Sequence, residues 1–285
     1  MILTTRRKIG LAAVASRAVR ACGVGPVTRV RRGAIQWELD LREGIDFAIW
    51  LTGRFEGGLD AACRRVIAAG SVVVDIGANM GAHSLPLARA VGAGGKVLAV
   101  EPTREAFGRL TRNLALNPAL RDRVEAVQAM LVADSTQPLD EEIYSSWPLT
   151  PSMGKVSHPL HLGVARSTGG AQAITLDDLL TAYGVRRVDF IKLDVDGFEL
   201  DVLAGARETL RTFRPAVAME LAPYVMIERG HPADAAVALL RGQGYEFHTL
   251  AGRPLTTGLR KLLASLPHGA SVNLLALPER TAAKA

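Results

Sequence analysis

The sequence lacks the features that define several large classes of protein. It has only two cysteines in 285 residues, Cys22 and Cys63, and their spacing fits neither a zinc site nor a disulfide framework, so we expect a reducing cytoplasm. No stretch approaches the roughly 20 apolar residues that a membrane span requires. Aromatic residues make up 5% of the chain and are not interleaved with a basic run, which argues against nucleic-acid binding despite the net charge of +6.

What the sequence does contain is a regular alternation of helix-like and strand-like segments. Hydrophobic residues make up 48% of the chain, which is enough for a sizeable core. Strands that alternate with helices predict an α/β fold with a mostly parallel, doubly wound sheet. The predicted strands cover residues 34–41, 72–75, 96–102, 124–131, 188–195, 215–221, 245–250 and 271–278. The predicted helices cover residues 59–70, 84–91, 104–117, 175–184, 199–213 and 234–244, with Thr175 as a predicted cap.

Two segments depart from this alternation. Residues 1–45 form a predicted N-terminal extension, an arginine-rich amphipathic helix followed by a strand, which we expect to pack on the rest of the chain, on a partner subunit or on a membrane face. Residues 46–285 form the predicted Rossmann-like domain. Within it, residues 134–172 lose periodicity and contain four prolines, so we predict an inserted flap there.

Acidic residues follow the predicted strands of the central sheet. In doubly wound sheets, ligands bind beyond the C-terminal strand ends, at the point where the strand order reverses. The acids near these ends are Asp75, Glu101, Asp134, Asp194, Asp196 and Glu220. Such a lining suits a cationic or hydroxyl-rich ligand and matches phosphate poorly.

The turn within "VVVDIGANMGAHS", residues 72–84, narrows the choice of ligand. A dinucleotide fingerprint needs a glycine two residues after Gly77, where this chain has Asn79, and the next glycine is Gly81. No Gly-Lys-Ser/Thr occurs, so a P-loop is absent too. Glu101 lies about 20 residues beyond the turn, where an acid accepts bonds from ribose hydroxyls. A ribose-bearing ligand with an amine and a sulfonium but no phosphate, S-adenosylmethionine, fits both observations.

Several longer stretches can be read together. They are "GRFE" (53–56), "VVVDIGANMGAHS" (72–84), "VLAVEPT" (97–103), "TLDDLL" (175–180), "VDFIKLDVDGFELDVLAGA" (188–206) and "RPAVAMEL" (214–221). In these stretches the chain resembles the FkbM-type methyltransferases, which are Rossmann-like and use S-adenosylmethionine. Asp196 and His83 are small departures, because the family more often has Glu and an aromatic residue there. The resemblance implies O-methylation, often of sugars, polyketides or other secondary metabolites.

The resemblance and the residue chemistry together predict which residues bind the cofactor. The set is Glu56, Asp75, Gly77, Asn79, Gly81, Glu101, Thr103, Asp134 and Asp194. Asn79 tolerates a left-handed backbone, and Glu101 is expected to accept both ribose hydroxyls. Asp75 and Thr103 have a competing role as caps of the helices that follow them. Asp134 is a candidate partner of the adenine amine.

The candidate catalytic residues are Asp194, Glu220, Lys192 and His83. The strand period of two places Lys192 and Asp194 on one side, where a pair would keep the acid ionised beside the sulfonium. The alternative is that Lys192 reaches the sheet rim and Asp194 caps the next helix. Glu220 is expected to face Asp194 and to position an acceptor hydroxyl; two acids can also hold a cation, but we expect no metal because no further ligand is identifiable. His83 is a candidate base, with a satisfied loop histidine as the alternative.

Several expectations concern the function as a whole. The acceptor is expected to be a small molecule or a glycan, and the N-terminal extension is a candidate surface for a homo-oligomer. A non-catalytic scaffold, or a subunit of a larger assembly, would bind S-adenosylmethionine without transferring its methyl group. An NAD-dependent oxidoreductase is a weaker alternative, because it needs the missing glycine.

Overall fold

The computed structural model describes residues 5–149, 157–158, 162–256 and 258–279. Its strands are β1 (Val27–Arg32), β2 (Ile35–Asp40), β3 (Val72–Ile76), β4 (Lys96–Val100), β5 (Val124–Val127), β6 (Ala129–Leu131), β7 (Glu142–Ser146), β8 (Val164–Ser167), β9 (Gln172–Ile174), β10 (Phe190–Leu193), β11 (Ala216–Leu221), β12 (Tyr245–Thr249) and β13 (Val272–Pro278). Its helices are α1 (Thr5–Ala21), α2 (Gly44–Thr52), α3 (Gly57–Val66), α4 (Ser84–Ala90), α5 (Arg104–Ala115), α6 (Pro118–Arg121), α7 (Leu176–Ala182), α8 (Glu199–Ala204), α9 (Arg207–Phe213), α10 (Pro223–Glu228), α11 (Ala235–Gly242) and α12 (Leu259–Ser265).

The central sheet has seven strands in the order β12-β13-β11-β10-β3-β4-β5. The five strands from β11 to β5 run parallel, and β13 is antiparallel to both of its neighbours. The chain leaves β3 through β4 to β5, and then returns to β10 on the other side of β3. The predicted doubly wound α/β sheet is confirmed, and the order reverses between β3 and β10, where such sheets bind their ligands.

Two hydrophobic cores cover the two faces of this sheet. Val74 and Ile76 of β3 pack on one face with residues of α7, α8, α9 and α11. Val73 of β3 and Phe190 of β10 pack on the other face with residues of β2 and of α2 to α5. Neighbouring residues of β3 enter different cores because side chains alternate along a strand.

The N-terminal segment packs on the second of these cores. Strand β2 confirms the prediction for residues 34–41, and its buried residues Ile35, Trp37 and Leu39 follow a period of two. Strand β1 pairs with it antiparallel but was missed, because half of its residues are arginines and the strand is partly exposed. Helix α1 confirms the predicted N-terminal helix. No helix in the described ranges is both long and apolar enough to cross a membrane.

Several predicted elements are divided or shortened in the structure. The predicted strand at 124–131 is two strands, because β6 leaves the central sheet to pair with β9. The predicted helix at 199–213 breaks at Gly205, where a Cβ would lie 2.2 Å from the carbonyl oxygen of Val132. The predicted helix at 59–70 ends at Val66. Thr175 is confirmed as a cap, since its hydroxyl accepts a bond from the amide of Asp178.

The segment predicted as a flap contains a β-hairpin. Strands β7 and β8 pair antiparallel within residues 134–172, apart from the central sheet. Residues 150–156 and 159–161 of this segment lie outside the described residues. Both cysteines have free thiols, Cys22 exposed and Cys63 buried.

Candidate functional site

A cleft lies beyond the C-terminal ends of β3, β4 and β10, where the strand order reverses. Its free volume is about 750 Å³, including space open to solvent. The polar side chains in its wall are those of Asn79, His83, Glu101, Ser145, Lys192, Asp194 and Asp196. Its large apolar side chains include Ile45, Phe55, Met130, Ile143, Trp147 and Phe198.

The turn after β3 brings the ends of β3 and β10 into contact. Gly77 has φ +76°, and a Cβ there would lie 1.9 Å from the carbonyl oxygen of Asp194. Only glycine therefore fits between the two strands. Asn79 also has a left-handed backbone, with φ 48°, which asparagine tolerates better than most residues. This backbone shape directs the backbone N–H of Asn79 toward Glu101, and it donates to Oε2 at 2.9 Å.

Glu101 is held rigidly at the end of β4. Its Oε2 accepts the amide of Asn79, and its Oε1 accepts the amide of Thr103 at 2.9 Å and the Thr103 hydroxyl. The side chain is buried, and burial raises its pKa, although these bonds act in the opposite direction. A carboxylate has about four acceptor sites. Oε2 has room for one further donor, and Oε1 gains room only if the Thr103 hydroxyl turns away.

Lys192 connects the two central strands from below the cleft. Its ammonium donates to the carbonyl of Gly77 at 2.8 Å and to that of Ile76 at 3.2 Å. It lies 3.5 Å from a carboxylate oxygen of both Asp75 and Asp194. Burial lowers the pKa of Lys192, but the two aspartates outweigh burial and raise it. The lysine is 2% exposed and bonded between the two strands, so the alternative in which it reaches the sheet rim is wrong.

Three carboxylates converge beside this lysine. One oxygen each of Asp194, Asp196 and Glu220 lies within 4.8 Å of the others. Burial raises the pKa of Asp194, but the charge of Lys192 and a hydrogen bond with Glu220 outweigh it and hold the pKa low. Burial and the charge of Asp194 raise the pKa values of Asp196 and Glu220 far above their ordinary range. Asp194 is therefore the strongest acid of the three, because Lys192 lowers its pKa while its own charge raises those of its two neighbours.

His83 lies in the cleft wall between two acids. Its Nδ1 is 3.6 Å from Asp60, and its Nε2 is 3.7 Å from Glu56. Burial would lower the pKa of His83, but Asp60 and Glu56 raise it to about 9. A histidine that is protonated at neutral pH has no lone pair with which to accept a proton. The geometry thus argues against His83 as a general base and favours a buried histidine paired by charge with two acids, although its Nε2 makes no hydrogen bond in the described structure.

Four other predicted site residues lie behind the cleft wall. Asp75 is fully buried and accepts the hydroxyl of Ser84, the first residue of α4, at 2.6 Å. Gly81 packs against α5, since a Cβ there would lie 3.0 Å from Leu110. Glu56 and Glu220 are outside the wall as well, behind His83 and Asp194 respectively. Asp75 therefore shapes the turn from below, which matches the alternative of a role at the next helix.

The remaining two predictions have different outcomes. Thr103 occupies the N-cap position of α5, but its side chain makes no cap bond and donates to Glu101 instead. Asp134 lies in an exposed turn, where it accepts the amide and the hydroxyl of Thr136, both at 2.9 Å. The structure does not bring Asp134 to the cleft, because the chain turns away after β6.

Several residues of the wall were missed by sequence reasoning. Phe55 and Phe198 lie inside the motifs "GRFE" and "DGFE", so the signal was present but went unused. Ile143, Ser145 and Trp147 come from β7 and the residues after it. That segment has neither a motif nor a clear period, so only the folded chain reveals its position over the cleft.

The chain is similar in sequence to known methyltransferases. The profile of the Methyltransferase FkbM domain matches residues 75–254. The methyltransferase sdnD of Sordaria araneosa is 31% identical to this chain over 204 residues, which span 61% of this chain and 73% of that protein.

Solved structures also resemble the chain. A methyltransferase FkbM from Methylobacillus flagellatus is 18% identical with a TM-score of 0.41, over 73% of this chain and 44% of that chain. An S-adenosylmethionine-dependent O-methyltransferase from Thermotoga maritima is 16% identical with a TM-score of 0.43, over 92% of this chain and 82% of that chain. The chain thus spans less than half the length of the M. flagellatus protein.

Proposed function

Because the chain belongs to the FkbM methyltransferase family, we propose that it transfers the methyl group of S-adenosylmethionine to a hydroxyl oxygen of a small-molecule or glycan acceptor. S-adenosylmethionine supplies an electrophilic methyl group on a sulfonium. The choice of oxygen rests on one observation, the Asp194 carboxylate in the wall of the cleft, 3.5 Å from the Lys192 ammonium. A hydroxyl must lose its proton during methylation, and a carboxylate has about four acceptor sites, so we propose that Asp194 accepts this proton beside its contact with the cofactor.

The residues of the cleft fit the cofactor. Glu101 has an oxygen with room for a further donor, which suits a ribose hydroxyl. The negative charge of Asp194 suits the ammonium of the methionine part, and the backbone of the Gly77 turn borders the same space. Met130 and Phe198 offer apolar contact for the adenine ring. These residues are the proposed binding set, and Asp134 is no longer among them.

Lys192 has a positioning role in this proposal. Its ammonium contacts the Asp194 carboxylate and the carbonyl of Gly77 at once. It therefore keeps Asp194 ionised and fixes the turn that borders the cofactor. Proximity and orientation account for much of the rate of an in-line displacement, so a rigid Asp194 serves both binding and transfer.

The part of the chain that selects the acceptor is proposed to be the segment 134–172. Ile143, Ser145 and Trp147 of this segment line the cleft opposite the strand ends. We keep the division into an N-terminal extension, 1–45, and a Rossmann-like domain, 46–285, as part of the proposal. A cytoplasmic location and a homo-oligomer remain predictions.

The cofactor assignment is tested by replacing Glu101 with Ala. Hydrogen bonds to a charged group contribute roughly 1.5–3 kcal/mol each, so the affinity for S-adenosylhomocysteine should fall at least tenfold. Isothermal titration calorimetry measures this directly. Glu125→Ala is the matched control, because Glu125 is an exposed glutamate on the neighbouring strand β5. Unchanged affinity in Glu101→Ala would refute the assignment.

The acceptor atom is tested with labelled S-adenosylmethionine and a panel of hydroxyl and amine acceptors. Sugars and polyketide-type alcohols represent the proposed class, and NMR locates the transferred methyl group. Transfer to oxygen supports the proposal, and transfer confined to nitrogen contradicts it. Tight binding of S-adenosylhomocysteine without transfer to any acceptor would favour the non-catalytic scaffold.

A further inference from the structure

A second cavity lies on the other side of Ala82 from the cofactor cleft, and Ala82 lines both. Its free volume is about 970 Å³, including space open to solvent. Four arginines line it: Arg32, Arg54, Arg64 and Arg89. We propose that this cavity binds a phosphate group, or a similar oxyanion with more than one negative charge, as a site separate from the methyl-transfer cleft.

Three of the four guanidinium groups have no partner in the described parts of the chain. Arg54, Arg64 and Arg89 form no side-chain hydrogen bond and no ion pair there. Arg32 differs, because it donates to the backbone carbonyl of Trp50 and is thereby fixed. Each guanidinium offers five N–H donors and no acceptor. Arg54, Arg64 and Arg89 are exposed at the cavity, so their donors face solvent and no described residue occupies them.

The single acid in the cavity wall is already engaged. Asp60 lies four residues before Arg64 on α3, a spacing at which acid and base commonly pair. Its carboxylate instead faces the protonated His83 at 3.6 Å. Asp60 is therefore placed beside His83, and Arg64 forms no ion pair with it in the described structure.

The arginines belong to different elements that surround one space. Arg54 follows α2 and folds over the start of α3, with its Cδ 3.1 Å from where a Cβ of Gly57 would lie. Arg89, in the last turn of α4, reaches the turn between β1 and β2, with Nη1 3.9 Å from a Cβ built on Gly33. Arg64 and Arg89 both lie in the last turn of a helix, where a cation is favourable. That preference explains why the two residues are positively charged. It does not give their N–H groups a hydrogen-bond partner.

The four arginines are the donors that the cavity offers, because the indole Nε1 of Trp37 in its wall is buried away from the open space. Four arginines around one cavity, with a single acid that faces a histidine, favour an oxyanion. Arginine binds phosphate through paired N–H donors, so several arginines favour phosphate over a singly charged carboxylate.

The test uses isothermal titration of the full chain with sodium pyrophosphate at constant ionic strength. The cavity variant replaces Arg54, Arg64 and Arg89 with Gln. We expect the wild-type chain to bind pyrophosphate and the cavity variant to bind it at least tenfold more weakly. The absence of pyrophosphate binding by the wild type up to about 10 mM would overturn the proposal.

The matched control removes the same charge elsewhere. It replaces Arg186, Arg207 and Arg260, which are exposed and outside the cavity, with Gln. Pyrophosphate affinity should stay within twofold of wild type in this control. An equal loss in both triple variants would show that net charge alone attracts the anion, and would overturn the site.

Two further arms separate this inference from the proposed function and identify the source of the phosphate. S-adenosylhomocysteine affinity should be unchanged in the cavity variant, since none of its three arginines lines the cofactor cleft. Titration with ADP and with inorganic phosphate compares a nucleotide with the free anion. Equal affinity for ADP and pyrophosphate indicates recognition of the phosphates alone, whereas loss of S-adenosylhomocysteine binding in the variant would contradict a separate site.

Discussion

Gly77 shows how one missing side chain determines the shape of the site. A Cβ at this position would overlap the carbonyl oxygen of Asp194, at 1.9 Å. Gly77→Ala should therefore destabilise the fold by more than about 3 kcal/mol, because the strain of a positive φ, about 1–2 kcal/mol, is added to a collision with backbone. Urea unfolding measures the loss.

Gly70→Ala is the control for this prediction. Gly70 has φ +85°, and nothing lies within 4 Å of a Cβ built there. Its substitution carries the strain of a left-handed alanine without the collision, and should cost only about 1–2 kcal/mol. Equal destabilisation by the two substitutions would disprove the close approach of the strands.

Substitutions of Glu220 test which carboxyl of the acid cluster carries a proton. Since its pKa is raised well above the ordinary range, beside the ionised Asp194, it should act as a neutral donor. Glu220→Gln retains a donor of the same shape, so turnover should change less than threefold. Glu220→Leu removes the donor and should lower turnover about tenfold, since bonds to charged groups are worth about 1.5–3 kcal/mol.

A chelator separates this role from a metal site. If Glu220 held a divalent cation, it would have to be ionised. Turnover would then collapse in Glu220→Gln, and EDTA would abolish wild-type turnover until magnesium was added. We expect activity that does not respond to EDTA, and S-adenosylhomocysteine affinity near wild type in both variants.

Sequence reasoning located the residues whose roles depend on their order along the chain. The turn at Gly77, the acid at Glu101 and the pairing of Lys192 with Asp194 all follow from strand ends and strand period. The charge of His83 could not be predicted in this way, because Asp60 and Glu56 come from another segment of the chain. Nor could the direction of the chain after β6, which removes Asp134 from the cleft.

At the scale of elements, ion pairs between side chains link the hairpin of β7 and β8 to the rest of the molecule. Arg166 of β8 lies 2.5 Å from Glu105 and 3.3 Å from Glu43. The residues after β7 add backbone bonds, since the carbonyl of Trp147 accepts the amide of Gly44. The hairpin that closes the cleft is thereby held by α5 and by the segment before α2.

Replacing Arg166 with Met should loosen this hairpin. The substitution removes the ion pairs of Arg166 with Glu105 and with the largely buried Glu43, and so removes the side-chain link between β8 and these two segments. We expect the amides of residues 142–146 and 164–167 to exchange hydrogen about tenfold faster, measured by mass spectrometry. Arg187→Met, which removes a surface pair with Asp189, is the control and should leave these amides unchanged. Equal protection in both variants would contradict the anchoring role.

The elements that the sequence predicted best are those buried on both sides. Strands β3, β4, β10 and β11 appear in the sequence as short apolar runs, and the structure confirms them. Strands β1 and β7 to β9 and helices α2, α6, α10 and α12 were missed. Strand β1 is partly exposed, and its arginines obscure the apolar period. The division of 124–131 into β5 and β6 depends on pairing with β9, which no local pattern contains.

At the scale of the whole molecule, several groups make the stability depend on pH in the same direction. Burial raises the pKa of Glu43 and of Glu199 to about 7 and that of Asp46 to about 6. The pKa of His83 is raised to about 9, against the effect of burial, by Asp60 and Glu56. Each group binds its proton more tightly when folded, so its contribution is complete below the unfolded pKa and is lost as pH rises through the folded pKa.

We therefore expect the free energy of unfolding to be greater at pH 5 than at pH 8.5. Each unit of pKa shift corresponds to about 1.4 kcal/mol, so the difference should amount to several kcal/mol. Urea titrations across this range measure it. Glu43→Gln should flatten the decline between pH 4.5 and 7 and leave the part above pH 7, which belongs to His83. Stability that is constant or rises from pH 5 to 8.5 would contradict these shifts.

Lys192 has a consequence for how the sheet assembles. In the native alignment it lies beside Asp75 of β3, on the face opposite to Leu193 and its apolar neighbours. A slip of β10 by a single residue would turn every side chain of that strand to the other face. The ammonium would then enter the apolar core with no carboxylate beside it, which is costly. We therefore expect the lysine that orders the cleft also to disfavour a one-residue slip of β10 during folding.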